Sequence, residues 1–118
     1  MIVSKKFSFD AAHFLPNYEG KCRNLHGHHW VVEVACSGEV NVDVGMVVDF
    51  KDLKGFCEEI EEKFDHTSLN RFFGIPTAEN IARDIFKDFH AWCRTIDLNA
   101  EYVRVWESED SMVEVREF

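Results

Sequence analysis

Two stretches of helical periodicity lie in the middle of the chain, with alternating strand-like runs on either side. No other feature of the sequence restricts the fold as strongly. Phe50, Leu53, Phe56, Cys57, Ile60 and Phe64 recur at three- and four-residue intervals behind Asp49, a good N-cap. This predicts an amphipathic helix over roughly residues 50–63. Ala78, Ile81, Ala82, Ile85, Phe86, Phe89 and Cys93 repeat the pattern behind Thr77, predicting a second helix over roughly 77–94. Before them, residues 2–9 put Val3, Phe7 and Phe9 on one parity, and residues 28–37 do the same with Trp30, Val32, Val34 and Cys36. After them come strands at about 100–107 and 111–118, joined by the turn Ser108-Glu109-Asp110. Residues 10–27 and 65–76 read as loops, and the first is long enough to expect a function of it.

Strands, then helices, then strands imply an α+β class. The expected architecture is one antiparallel sheet with two helices on one face, in a single domain spanning residues 1–118. Such a sheet has two open edges, and closing it with copies of itself predicts a ring-shaped oligomer. The 46% apolar content, with 11 Phe and 3 Trp, is enough for a core and argues against disorder.

The formal charge of −9 disfavours nonspecific binding to nucleic acid or to an anionic membrane, because no basic excess neutralises phosphates. A small phosphorylated ligand is still compatible with local cations such as Lys21 and Arg23. No apolar run reaches the length of a membrane span, and the opening MIVSKKFSF reads as a strand rather than a signal peptide. Cys22, Cys36, Cys57 and Cys93 show no CxxC spacing, so a cytoplasmic protein with free thiols is expected.

The strongest local motif is His26-Gly27-His28. Two histidines at i and i+2 entering a strand project from the same side, in phase with Trp30 and Val32. Gly27 would leave room for the backbone to approach an ion. His13 follows the first strand, and a hairpin of the first two strands would bring it to the pair. Three imidazoles without an obvious fourth ligand suit a catalytic zinc, although loop histidines often bind nothing. His29 has the opposite parity and reads as a non-ligand; His90 reads as solvated.

Cys22 lies between two cations, which favour its thiolate. That thiolate can act as base, as nucleophile or as a fourth ligand closing the site, and spacing does not choose among them. Asp65-His66 can form a carboxylate–imidazole pair for proton transfer, or can simply end the first helix. Glu107 shares parity with Val103 and Val105 and can face inward, where it would match the paired N–H donors of a pterin or guanine edge; otherwise it is a solvated acid near a turn.

Six ordered segments, FSFDAAH (7–13), CRNLHGHHW (22–30), GMVVDFKDLK (45–54), FDHTSLN (64–70), PTAENIA (76–82) and VWESED (105–110), together resemble the 6-pyruvoyl-tetrahydropterin synthase and 6-carboxytetrahydropterin synthase family. The resemblance implies the tunnelling fold (T-fold), in which trimers close their sheets into a barrel and two trimers stack into a homohexamer with active sites between subunits. It implies Zn²⁺ on His13, His26 and His28. Cys22, Asp65 and His66 would be catalytic, Glu107 would anchor the pterin, and Thr77 and Glu79 would line the pterin pocket. The implied substrate is 7,8-dihydroneopterin triphosphate. The Cys22-to-His26 spacing resembles the carboxy branch of queuosine biosynthesis, a lyase releasing acetaldehyde and triphosphate. The pyruvoyl branch and a non-catalytic zinc- or pterin-binding module are the alternatives.

Overall fold

Strand β1 (Ile2–His13) and strand β2 (His26–Ser37) pair antiparallel along their whole length, from Ile2 opposite Ser37 to His13 opposite His26. This hairpin is the spine of the computed structural model, which describes residues 1–118. Helix α1 (Phe50–Phe64) follows, then the two-residue strand β3 (Thr67–Ser68) and helix α2 (Ala78–Thr95). Strands β4 (Asn99–Ser108) and β5 (Ser111–Val115) complete one five-stranded open sheet in the order β3-β1-β2-β4-β5. The architecture is therefore α+β with two helices and one sheet.

Asp49 and Thr77 cap the helices as expected: the Asp49 side chain accepts from the Lys51 N–H at 2.8 Å and Thr77 Oγ1 from the Asn80 N–H at 3.2 Å. Each satisfies a backbone donor that the first helical turn leaves unpaired.

Three features differ from the sequence reading. The first strand runs four residues further, so that His13 is its last residue and the loop before His26 shrinks to residues 14–25. The sheet is not wholly antiparallel, because β3 pairs parallel with β1 at Ala11 and Ala12. The last strand stops at Val115, and Phe118 turns back onto α2, its ring 4.9 Å from His90 and 5.3 Å from Phe86. His90 is accordingly half-buried rather than solvated.

Alternation divides the sheet into two unlike faces. Phe9, Trp30, Val32, Val34, Val103 and Val105 form one continuous core with Leu53, Ile60, Ile81, Ile85 and Phe89 of the helices. Each large apolar side chain removed from water contributes about 1.5–3 kcal/mol. The other face is polar and internally paired. Arg104 donates to Glu33 at 3.0 Å and to Glu114 at 2.7 Å, Ser4 donates to Glu33 at 3.1 Å, and Lys6 lies 4.9 Å from the Trp106 ring centre. No helix is long and apolar enough to cross a membrane. All four cysteines are unpaired. Burial pushes the Cys57 thiol up to about 12, consistent with a packing role.

Candidate metal centre and active site

The core face of the sheet ends, at the β1–β2 turn, in histidine instead of leucine or valine. His13 is fully buried and His26 and His28 are half-buried. Their ligand nitrogens all lie within 4.8 Å of one another. The register explains the convergence: His26 faces His13 across the hairpin, and His28 is two residues along on the same face, opposite Ala11. Trp30 forms the floor beneath them, its indole N–H donating to the Ala11 carbonyl at 3.2 Å and its ring edge-on to His13 and His28.

Backbone carbonyls orient two of the rings. His13 Nδ1 lies 2.8 Å from the Pro76 carbonyl and His26 Nδ1 lies 2.8 Å from the Asn24 carbonyl. A carbonyl only accepts, so each Nδ1 carries a proton, and the tautomer this selects presents a bare Nε2. Those two Nε2 atoms face one another at 3.1 Å. His28 Nε2 is buried with no hydrogen-bond partner. Burial lowers the His28 pKa, the nearby Glu107 carboxylate opposes this, and His13 and His26 add to the lowering. Lone pairs aimed at one point repel unless a cation sits among them. The donor set fits zinc, whose two ligands at ~2.0–2.1 Å in a tetrahedral shell stand roughly 3.3 Å apart. The carbonyl-oriented imidazoles are the outer-shell arrangement that such ligands require.

Glu107 approaches two of the three rings from β4 without being one of the group whose ligand atoms all lie within 4.8 Å of one another. One carboxylate oxygen lies 3.4 Å from His13 Nε2 and 3.7 Å from His28 Nε2. Cys22 is not part of the group of converging atoms. It sits half-buried in a single 3-10 turn, Lys21–Arg23, where its carbonyl accepts from the Leu15 N–H at 2.8 Å. The fourth-ligand reading of Cys22 therefore has no support in the geometry.

Asp65 and His66 form the expected pair: His66 Nδ1 lies 2.9 Å from Asp65 Oδ2. This hydrogen bond raises the His66 pKa, while the Asp10 N–H, bonded to Asp65, is the main cause of the lowered Asp65 pKa. His66 adopts φ 59°, a left-handed conformation uncommon outside glycine, and its N–H donates to the Asp10 carbonyl at 2.7 Å. A local conformation of this kind is tolerated when surrounding bonds fix it, and it recurs at functional sites.

Two cavities meet at Gly27-His28-His29. One, about 570 Å³, is lined by Asp10, His66 and Ser68 among others; the second, about 560 Å³, is lined by Lys6, Trp106, Glu107 and Ser108. His28 thus borders one cavity with His66 and the other with the acid on β4. Within one chain, Cys22 lines neither cavity. Glu79 lies elsewhere, in a cleft with Arg83 and residues 113–118, and Thr77 is engaged in capping.

Some residues emerge that the sequence did not single out. A side chain at Gly27 would meet nothing nearer than the Ala11 carbonyl at 4.0 Å, so packing within the chain does not require that glycine. His29 is held instead by Asp10, Nδ1 to Oδ1 at 2.7 Å. Asp10 itself was not anticipated: its backbone holds Asp65 and His66 and its side chain holds His29. Its only sequence signal was its place within FSFDAAH. The carbonyls of Asn24 and Pro76 leave no signal at all.

The 6-pyruvoyl tetrahydropterin synthase family model matches residues 2–117. The chain belongs to this family. Among relatives of this 6-pyruvoyl tetrahydropterin synthase family member, a protein of Archaeoglobus fulgidus provisionally named 6-carboxy-5,6,7,8-tetrahydropterin synthase is 46% identical over 98% of this chain and 96% of its own length. The 6-carboxy-5,6,7,8-tetrahydropterin synthase of Haemophilus influenzae is 34% identical over 98% of both chains. Human 6-pyruvoyl tetrahydrobiopterin synthase is 33% identical over 94% of this chain and 88% of its own. The structure of Caenorhabditis elegans 6-pyruvoyl tetrahydropterin synthase superposes with a TM-score of 0.89 at 27% identity, covering 100% of this chain and 96% of that one.

Proposed function

We propose that this protein is a zinc-dependent lyase. It converts 7,8-dihydroneopterin triphosphate and water to 6-carboxy-5,6,7,8-tetrahydropterin, acetaldehyde and triphosphate, a step of queuosine and 7-deazaguanine synthesis. The observation that carries this reading is the set of three imidazoles whose ligand nitrogens lie within 4.8 Å of one another, with His28 bordering two cavities. The names of the relatives, most of them 6-carboxy-5,6,7,8-tetrahydropterin synthases, favour the carboxy product over the pyruvoyl one.

His13, His26 and His28 would hold the ion. Zinc, when bound, supplies a Lewis acid for side-chain oxygens of the pterin. Glu107 accepts from the paired ring N–H donors and so sets which atoms of the side chain meet the site, a positioning effect worth several kcal/mol. His66, its Nδ1 proton held on Asp65, exchanges protons through Nε2, and Cys22 does so through its thiolate.

Cys22 and Asp65-His66 line no common cavity in one chain, which favours sites completed by a neighbour. The open edges of the sheet, β5 on one side and most of β1 on the other, suit closure of three copies into a barrel and stacking of two barrels as a homohexamer. Thr77 and Glu79 would reach the pterin across such an interface. The free thiols fit a cytoplasmic location.

The test is direct. Zinc-loaded protein is incubated with 7,8-dihydroneopterin triphosphate and the products are identified by mass spectrometry. 6-Carboxytetrahydropterin with acetaldehyde is expected. A pyruvoyl product would move the protein to the other branch, and pterin binding without turnover would make it a binding module.

A further inference from the structure

The Glu107 carboxylate has no cation beside it. The ionisable groups within 4.0 Å of it are Nε2 of His13 at 3.4 Å and Nε2 of His28 at 3.7 Å, and no Lys or Arg forms an ion pair with it. The Pro76 carbonyl fixes the His13 proton on Nδ1, so the atom facing the carboxylate is a lone pair. An anion placed against a lone pair, in a half-buried site, is unfavourable by itself. A divalent cation among the nitrogens reverses the sign of that interaction. Two spacings agree, since the 3.1 Å between His13 and His26 and the 3.4 Å between His13 and Glu107 bracket the roughly 3.3 Å expected between two ligands of one tetrahedral zinc, while Glu107 lies outside the group of atoms within 4.8 Å of one another and has to swing towards His26 to complete a shell. The 3.7 Å to His28 is slightly longer, a difference that one side-chain torsion can absorb.

We infer that Glu107 closes the metal shell in the substrate-free protein and leaves it when a pterin ring arrives. Resting on the proposed pterin chemistry, this inference gives one carboxylate two alternative partners, the ion and the paired N–H donors of the ring. Glu107 lines the same cavity as His28, so both partners are within its reach. Recognition of the ring thereby opens a coordination position only when a correct ligand is in place, and the metal is shielded from other anions until then. A ring without those donors leaves the shell closed.

Cobalt(II) substituted for zinc reports the donor set through its visible spectrum, without turnover. In the wild-type cobalt protein, 6-methylpterin, which lacks the substrate's side-chain oxygens, is expected to move the spectrum towards that of cobalt-loaded Glu107→Gln. Zinc affinity, measured by chelator competition, is expected to fall in Glu107→Gln. A Glu107→Gln cobalt spectrum superimposable on wild type would overturn the inference, whatever the affinity. So would an unchanged wild-type spectrum at saturating 6-methylpterin, with occupancy followed by pterin fluorescence; that second arm does not depend on the variant folding. Failure to form 6-carboxytetrahydropterin would instead count against the proposed reaction and would leave the metal spectra as they are.

Discussion

Glu33 and Glu107 stand on neighbouring strands of one sheet, on opposite faces, and their surroundings differ in kind. Glu33 is nearly buried and fully matched: Arg104 and Ser4 both donate to it, and Arg104 in turn bonds Glu114. Glu107 is more exposed, accepts no hydrogen bond from the chain, and its nearer ring nitrogen, His13 Nε2 at 3.4 Å, belongs to a ring whose Nδ1 carries the proton. A polar group whose partners are all supplied by the chain serves the fold. One left without a donor is arranged for something that is not part of the chain. Buried polar atoms are otherwise almost always satisfied, which gives the unpartnered His28 Nε2 its weight.

The sharpest way to break this contrast is to remove a donor from the unmatched side. His28→Ala is expected to lower zinc affinity by more than about 100-fold, beyond the range of outer-shell changes, with little change in the urea midpoint of the metal-free protein. Retained stoichiometric zinc by elemental analysis would dissolve the comparison. Cys22→Ala should keep its zinc and lose turnover; joint loss of both would restore the closed-site reading. On the matched side, Arg104→Met should cost roughly 1–3 kcal/mol in denaturant unfolding, less than a wholly buried pair because Arg104 is partly exposed, and leave zinc affinity unaltered. Thr77→Ala removes a helix cap and should cost about 1 kcal/mol.

The smallest effect concerns protons. His66 should titrate above its ordinary 6.5, and Asp65→Asn should return it towards that value by NMR. The sign follows from the raised pKa: any stability from the His66 pairing is fully present below 6.5 and fades as pH climbs through the folded-state value. For Asp65, whose pKa is lowered from 3.8, the contribution holds above 3.8 and fades as pH drops through its folded value. A His66 midpoint unaffected by Asp65→Asn would show that the two side chains do not interact in solution.

Much of this was legible in the order of residues, for physical reasons. Parity alone placed His26, His28, Val103, Val105 and Glu107 on the core face, because a strand admits no other alternation. Both caps were legible because Asp49 and Thr77 act on donors within their own helix. The meeting of Glu107 with His13 was not, since it depends on the register of β4 against β2, set by packing far along the chain. Strand β3 escaped notice because two residues carry no period, and its pairing uses backbone alone. His90 was misjudged because Phe118, which covers it, is 28 positions away, read from the numbering (118 − 90).

Asp10 divides the outer rim of β1 in two. From Asp10 onward, the rim's backbone groups are committed to the turn after α1 and to β3. From Ile2 to Phe9 they have no neighbour on that side. Eight residues at about 3.3 Å each leave an unpaired edge of roughly 26 Å, longer than the five residues of β5. That edge stops where the Asp65-His66 pair begins, so the open stretch of β1 and the cavity beside His66 adjoin.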